Sequence, residues 1–133
     1  MTRVLVFGTF DHLHPGHEHF LKAAQALGDE LIACLSPDKI VLKLKDREVM
    51  NSYSKRKKAL ESAGFCDKAV QGDSSLGGYQ IIKKIKPDII ALGYDQKALK
   101  ADLKRWMAEN EQSIVLKTIS AYKPKIYKSS LLK

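Results

Sequence analysis

The 133-residue sequence predicts a doubly wound α/β fold built on a five-stranded parallel sheet. Two observations lead there. Short apolar, β-branched runs alternate with helical patterns along the chain, and those runs are continuous rather than alternating, as in strands covered on both faces. The opening strand, helix and strand also have the spacing of a βαβ unit, which crosses over right-handed and places its strands in parallel. This length suits one domain, residues 1–133, with a single sheet and helices on both faces.

The first strand is read over Val4 to Phe7 and stops at Gly8. A helix begins near Pro15, a residue that suits the first turn because its missing N–H is not needed there. Phe20, Leu21, Ala24 and Leu27 give that helix an apolar stripe. Glu30 to Ser36 is the second strand, ended by Pro37. The polar stretch from Asp38 to Asn51 holds Lys39, Lys43, Lys45 and Arg47, and a loop this long in a compact domain is usually functional. A helix of about Tyr53 to Ala63 carries Lys55, Arg56, Lys57 and Lys58 in its first turns, where cations oppose the helix dipole and an anionic partner would offset the cost.

Lys68 to Gly72 is a weak third strand, followed by a turn-rich loop to Gly78. Tyr79 to Lys86 is a helix with Ile81, Ile82 and Ile85 inward, ended by Pro87-Asp88. Ile89 to Leu92 is the clearest strand after the first and runs into Gly93-Tyr94-Asp95-Gln96. The helix from Ala98 to Glu109 buries Leu99, Leu103 and Trp106, which makes Trp106 a core residue rather than a stacking platform. Ile114 to Ile119 is the fifth strand.

Composition narrows the functional classes. No run of 18 apolar residues is present, so no membrane span is expected, and the first strand starts too early for a signal peptide. Cys34 and Cys66 are isolated and read as reduced thiols of a cytoplasmic protein. The net charge of +8 suits nucleic acid in principle, but no basic helix with interleaved aromatics accompanies it. Anionic small substrates account for the surplus equally well, with much of it as solvated lysine.

The chemistry concentrates in Gly8-Thr9-Phe10-Asp11 and His14-Pro15-Gly16-His17. His14 and His17 are three residues apart at a helix start, so both can project on one side, beside unpaired N–H groups and the positive end of the dipole. That is an anion site, most naturally for a phosphate chain. A zinc site is the competing reading, because His12, His14, His17 and His19 cluster here. No cysteine or acidic pair stands at ligand spacing, and Gly16 argues for close backbone approach instead.

These two motifs, after a strand and before a helix, resemble the cytidylyltransferase-like branch of the nucleotidyltransferase superfamily. The resemblance implies a Rossmann-like sheet of order 3-2-1-4-5, with the first and fourth strands adjacent at the switch point, where such sheets bind ligands. It implies attack by a phosphate-monoester oxygen on the α-phosphorus of a nucleoside triphosphate, with pyrophosphate released. Such a nucleophile is already anionic, so catalysis is positioning and charge neutralisation.

By that resemblance, His14 and His17 hold the triphosphate, and Gly8, Thr9, Phe10 and Gly16 form its cradle. Ser129 and Ser130 match a C-terminal hydroxyl pair that faces the β- and γ-phosphates, while Lys43 or Lys45 and Arg56 match phosphate-clamping cations. Each such lysine also reads as a solvated surface charge. Asp11 is a turn and capping residue or a Mg²⁺ ligand, with the metal held mainly by the nucleotide phosphates. Gly93, Asp95 and Gln96 face the ribose or base, although Asp95 also reads as the N-cap of the next helix.

Gly93-Tyr94-Asp95-Gln96, Tyr122-Lys123 and Ser129-Ser130 look most like the archaeal-type FAD synthetases, which adenylylate FMN with ATP. The glycerol-3-phosphate cytidylyltransferases, which use CTP, are the alternative, and their Arg-Thr and Ile-Ser-Thr-Thr ending is absent here. The C-terminal cysteine pair of the FAD synthetases is absent as well, and Lys97-Ala98-Leu99-Lys100 replaces their acidic stretch. A non-catalytic nucleotide-binding regulator and a nucleic-acid-binding module are the readings from other classes. Relatives are often homodimers, and Leu131-Leu132 offers an apolar tip for a partner or the core.

Overall fold

The structure is a computed structural model that describes residues 1–11, 13, 15–38, 52–73 and 79–120. His12, His14, Lys43, Lys45, Tyr122, Ser129, Ser130 and the Leu131-Leu132 tip lie outside the described residues. Along the chain run β1 (Arg3–Gly8), α1 (Pro15–Gln25), β2 (Glu30–Leu35), α2 (Tyr53–Ser62), β3 (Lys68–Gln71), α3 (Gln80–Ile85), β4 (Ile89–Gly93), α4 (Lys97–Glu109) and β5 (Val115–Ile119). All neighbours in the sheet are parallel, in the order β3-β2-β1-β4-β5. The expected fold class and strand order are both present.

Alternation along β1 builds the two cores. Val4 and Val6 face one side and pack with Leu21 and Ala24 of α1 and Leu60 of α2. Leu5 faces the other side, with Ile82 and Ile85 of α3 and Leu103, Trp106 and Met107 of α4. Period-2 side chains from one strand therefore feed two helical layers. Each fully buried aliphatic side chain contributes roughly 1.5–3 kcal/mol of transfer free energy. Trp106 is a core residue, as its helical spacing indicates. Among the described residues, no helix is long and apolar enough to cross a membrane.

Helix ends are where the structure departs from the simple pattern. Tyr79 and Lys86 both adopt left-handed backbone conformations and stand outside α3, which is shorter than its periodicity predicts. The Asp73 carboxylate accepts from the backbone N–H groups of Gln80 and Ile81 at 2.7 and 3.1 Å, a cap delivered from seven or eight residues upstream. In α2 the first-turn cations are neutralised within the chain: Arg56 pairs with Asp38, and Lys57 with Glu61. No external anion is needed to offset those two charges.

Both cysteines are buried free thiols. Burial, reinforced by the Asp73 carboxylate, pushes the Cys34 thiol from the ordinary 9.0 up to about 12. Burial, reinforced by Glu61, takes Cys66 up to about 11. Both thiols should therefore stay unreactive toward a thiol-alkylating reagent in the native protein and react once it is unfolded. Because the folded pKa values are raised, the associated stability is intact below about pH 9 and is lost as pH climbs through the folded values. Urea midpoints measured upward from neutrality should fall above about pH 9, less steeply in a Cys34→Ala variant.

Candidate active site

The site is set by how β1 leaves the sheet. With β2, β1 keeps register to its last residue, Gly8 opposite Leu35. With β4 it pairs only through Val4↔Ile89, Leu5↔Ile90 and Val6↔Ala91. Beyond Val6 no further pair joins the two strands, and in this fold class the crevice lies there, outside their carboxyl ends. In a doubly wound sheet this is the switch point where ligands bind.

The β1 turn beside that crevice, Gly8 to Asp11, is tightly constrained. Phe10 adopts a left-handed conformation (φ 50°), which costs a non-glycine residue about 1–3 kcal/mol and persists only where packing enforces it. Here its buried ring stacks over Phe20 at 6.5 Å and meets the His17 ring edge-on at 5.3 Å. The ring also lies over Gly8: a Cβ placed there would stand 2.6 Å from a Phe10 ring carbon. Gly8→Ala should therefore displace Phe10 from His17. A loss of about 1–3 kcal/mol in chemical denaturation and a matching fall in turnover are expected.

His17 stands in the first turn of α1, half-buried, with its ring against the β1 turn. Thr9, Asp11 and Gly16 are half-buried as well. His19, two residues on, places Nε2 3.2 Å from the Ser120 carbonyl oxygen just past β5. The described members of the predicted cradle, Gly8, Thr9, Phe10, Asp11, Gly16 and His17, are thus brought together by β1 and α1.

Arg56 is the only charged or polar side chain among the buried described residues, at 1% exposed. It lies beneath the turn rather than open to solvent. Its Nη1 donates to the Thr9 carbonyl at 2.8 Å, and its Nη2 donates to the Ser36 carbonyl at 2.8 Å and to Asp38 Oδ1 at 2.7 Å. The guanidinium fork thereby ties together the ends of β1, β2 and α2, a task suited to its planar, always-charged geometry. Asp38 had no assigned role in the sequence, because its partner is eighteen residues away.

At β4, Gly93 closes the strand and Asp95 is exposed on the turn that follows. The N-cap position of α4 is Gln96, one residue later than the Asp95 cap expected as an alternative. Gln96 does not cap the helix with its side chain. Instead its Oε1 accepts from the Gly93 N–H at 2.8 Å, and its Nε2 donates to the Phe7 carbonyl at 3.0 Å. The carboxamide bridges β1 and β4 just where their ladder stops.

Tyr79, which the sequence offered only as a helix residue, packs edge-on against Phe7 at 5.9 Å and Trp106 at 6.1 Å. Its hydroxyl donates to Asp102 at 2.7 Å, and burial together with that bond raises its pKa. It supports the far side of β1 as a packing residue. Among the described residues, no group of three His, Cys, Asp or Glu side chains is placed to hold a metal ion.

A family model for cytidylyltransferase-like proteins matches residues 5–133. The FAD synthase of Thermococcus sibiricus is 41% identical over 132 residues, spanning 96% of this chain and 87% of that protein. The FAD synthase of Pyrococcus abyssi is 42% identical over 131 residues, spanning 98% and 86%. Of solved structures, the lipopolysaccharide core biosynthesis protein from Thermoplasma volcanium GSS1 superposes with a TM-score of 0.83 at 32% identity, covering 92% of this chain and 99% of that one. With its switch-point crevice, its helix-borne histidine and a family match across nearly its whole length, this chain belongs to the cytidylyltransferase-like family and is a nucleotidyltransferase.

Proposed function

We propose that this protein transfers the adenylyl group of ATP to FMN, forming FAD and releasing pyrophosphate. The observation that carries the reading is the near-full-length identity to two FAD synthases, at 41% and 42%, in a chain whose β1 turn and α1 start lie together at the switch point. An FMN phosphate oxygen attacks the α-phosphorus. A new P–O bond forms to FMN, the bond from the α-phosphorus to the bridging oxygen breaks, and pyrophosphate departs with that electron pair.

The nucleophile is an anion already, so the protein supplies alignment and charge stabilisation rather than a strong base. His17 donates to the triphosphate from the first turn of α1, where the helix end favours anions. His14 joins it, and Ser129, Ser130, Tyr122, Lys43 and Lys45 complete the phosphate contacts, all by resemblance. Thr9 and the turn from Gly8 to Phe10 hold the α- and β-phosphates. Asp95, exposed beyond Gly93, faces the ribose and base. The substrates are therefore a nucleoside triphosphate and a small phosphate monoester. Mg²⁺ would be held mainly by the substrate phosphates, with the half-buried Asp11 as a candidate carboxylate, since it binds through one or two carboxylates plus phosphates. When bound, it neutralises charge on the transferring group.

Pyrophosphate release tests the reading. The protein is incubated with Mg²⁺ and either ATP or CTP, and with FMN, glycerol 3-phosphate, phosphoethanolamine or phosphocholine in turn. Release that requires both ATP and FMN, with FAD as product, is expected. Release with CTP and glycerol 3-phosphate would assign the protein to the cytidylyl reading instead. Silence across the panel, with salt-sensitive binding to random DNA, would replace the enzyme with a binding module.

A further inference from the structure

Three successive carbonyls at the end of β1 each meet a donor from a different element. The Phe7 carbonyl accepts from Gln96 Nε2 at 3.0 Å, the Gly8 carbonyl from the Ser36 N–H at 3.1 Å, and the Thr9 carbonyl from Arg56 Nη1 at 2.8 Å. In a trans peptide the C=O and the following N–H point in opposite directions. Drawing the Gly8 carbonyl toward β2 therefore turns the Thr9 N–H away from β2, toward the gap that opens before β4. Drawing the Thr9 carbonyl down onto Arg56 turns the Phe10 N–H away from α2. An anion cradle requires this polarity, with N–H groups presented and carbonyls withdrawn.

We propose that Gln96 is a positioning residue for the transfer reaction: its carboxamide wedges β1 and β4 apart and, together with Arg56, locks the β1 turn in its polyphosphate-binding orientation. The wedge stands at the first position beyond the last β1–β4 pair, Val6↔Ala91, and substitutes for the missing rung. The side chain makes no cap bond to α4 and is committed to the two strands instead. Gln96 thus acts through Phe7 and the turn rather than on the nucleotide.

The proposal rests on the polyphosphate reading of the site, so its test uses binding as well as turnover. Calorimetric titration with inorganic pyrophosphate and with MgATP is run on the full chain, on Gln96→Glu and on Gln96→Met. At about pH 7.5 the glutamate is ionised and presents an oxygen to the Phe7 carbonyl. Affinity for both probes should fall about tenfold or more, the scale of one lost hydrogen bond plus a repulsive contact. Toward about pH 4, below the ordinary glutamate value of about 4.3, a protonated Glu regains the donor, and its deficit relative to wild type should narrow. Gln96→Met, which has no donor, should keep its deficit at both values. In turnover assays both variants should raise KM for ATP more than KM for FMN.

Wild-type affinity in Gln96→Glu at about pH 7.5 overturns the proposal, as does a deficit that fails to narrow on acidification. Loss of affinity that merely follows a collapse in melting temperature assigns the amide to the fold and also overturns it. A wild-type chain that binds neither probe removes the cradle and the proposal together. A chain that binds both probes, shows the pH-reversible defect and yet does not adenylylate FMN supports the positioning role while refuting the substrate assignment.

Discussion

Replacing His17 with Ala is expected to reduce acceptor-dependent pyrophosphate release by about a hundredfold or more, the scale of one lost transition-state donor. Thermal unfolding should barely move. The ring is only half-buried in the first turn of α1, where it meets Phe10 edge-on. Losing that contact should cost about 1 kcal/mol at most, by analogy with other ring pairs. The main loss should appear in kcat, because a donor to the transferring phosphate tightens as charge develops there. His17→Asn, which keeps a neutral N–H donor, should recover part of the rate. A large drop in melting temperature with a proportionate loss of activity would instead make His17 a core residue.

Arg56→Met has the larger expected effect on stability. The thioether fills the channel but leaves the Thr9 and Ser36 carbonyls and the Asp38 carboxylate without the guanidinium they now share. Removing one partner from such a buried network costs about 3 kcal/mol, even though Asp38 itself is half exposed. Denaturant midpoints should fall accordingly. Turnover should fall further than stability requires, because the Thr9 peptide is then free to rotate. Arg56→Lys should be intermediate in both measurements, since a single ammonium cannot reach all three acceptors in the fork geometry. Unchanged stability in Arg56→Met would contradict the buried-network description.

The contrast between His17 and Arg56 shows what the sequence could reveal. The position of His17 beside the β1 turn was legible because it depends on local order: a strand end, a short turn and a helix start within fourteen residues. The sheet was equally legible, since buried parallel strands leave continuous apolar runs such as Leu31 to Leu35 and Ile89 to Leu92. Arg56 was visible as a cation but not as a buried one. Its acceptors are two backbone carbonyls and a carboxylate on other segments, and carbonyls carry no residue signature. The backbone partners of Gln96 were hidden for the same reason. Its side chain addresses Phe7, eighty-nine residues away, through a backbone oxygen. The start of α3 eluded periodicity because Asp73 caps it from seven residues upstream.

The most direct measurement is a crystal structure of the protein with a non-hydrolysable ATP analogue and FMN. The triphosphate should lie in the gap between the ends of β1 and β4, with the Thr9 N–H and the His17 ring on its oxygens and the FMN phosphate in line with the α-phosphorus. A triphosphate seated away from that gap, or a His17 ring turned from it, would contradict the central claim that the β1 turn is a polyphosphate cradle.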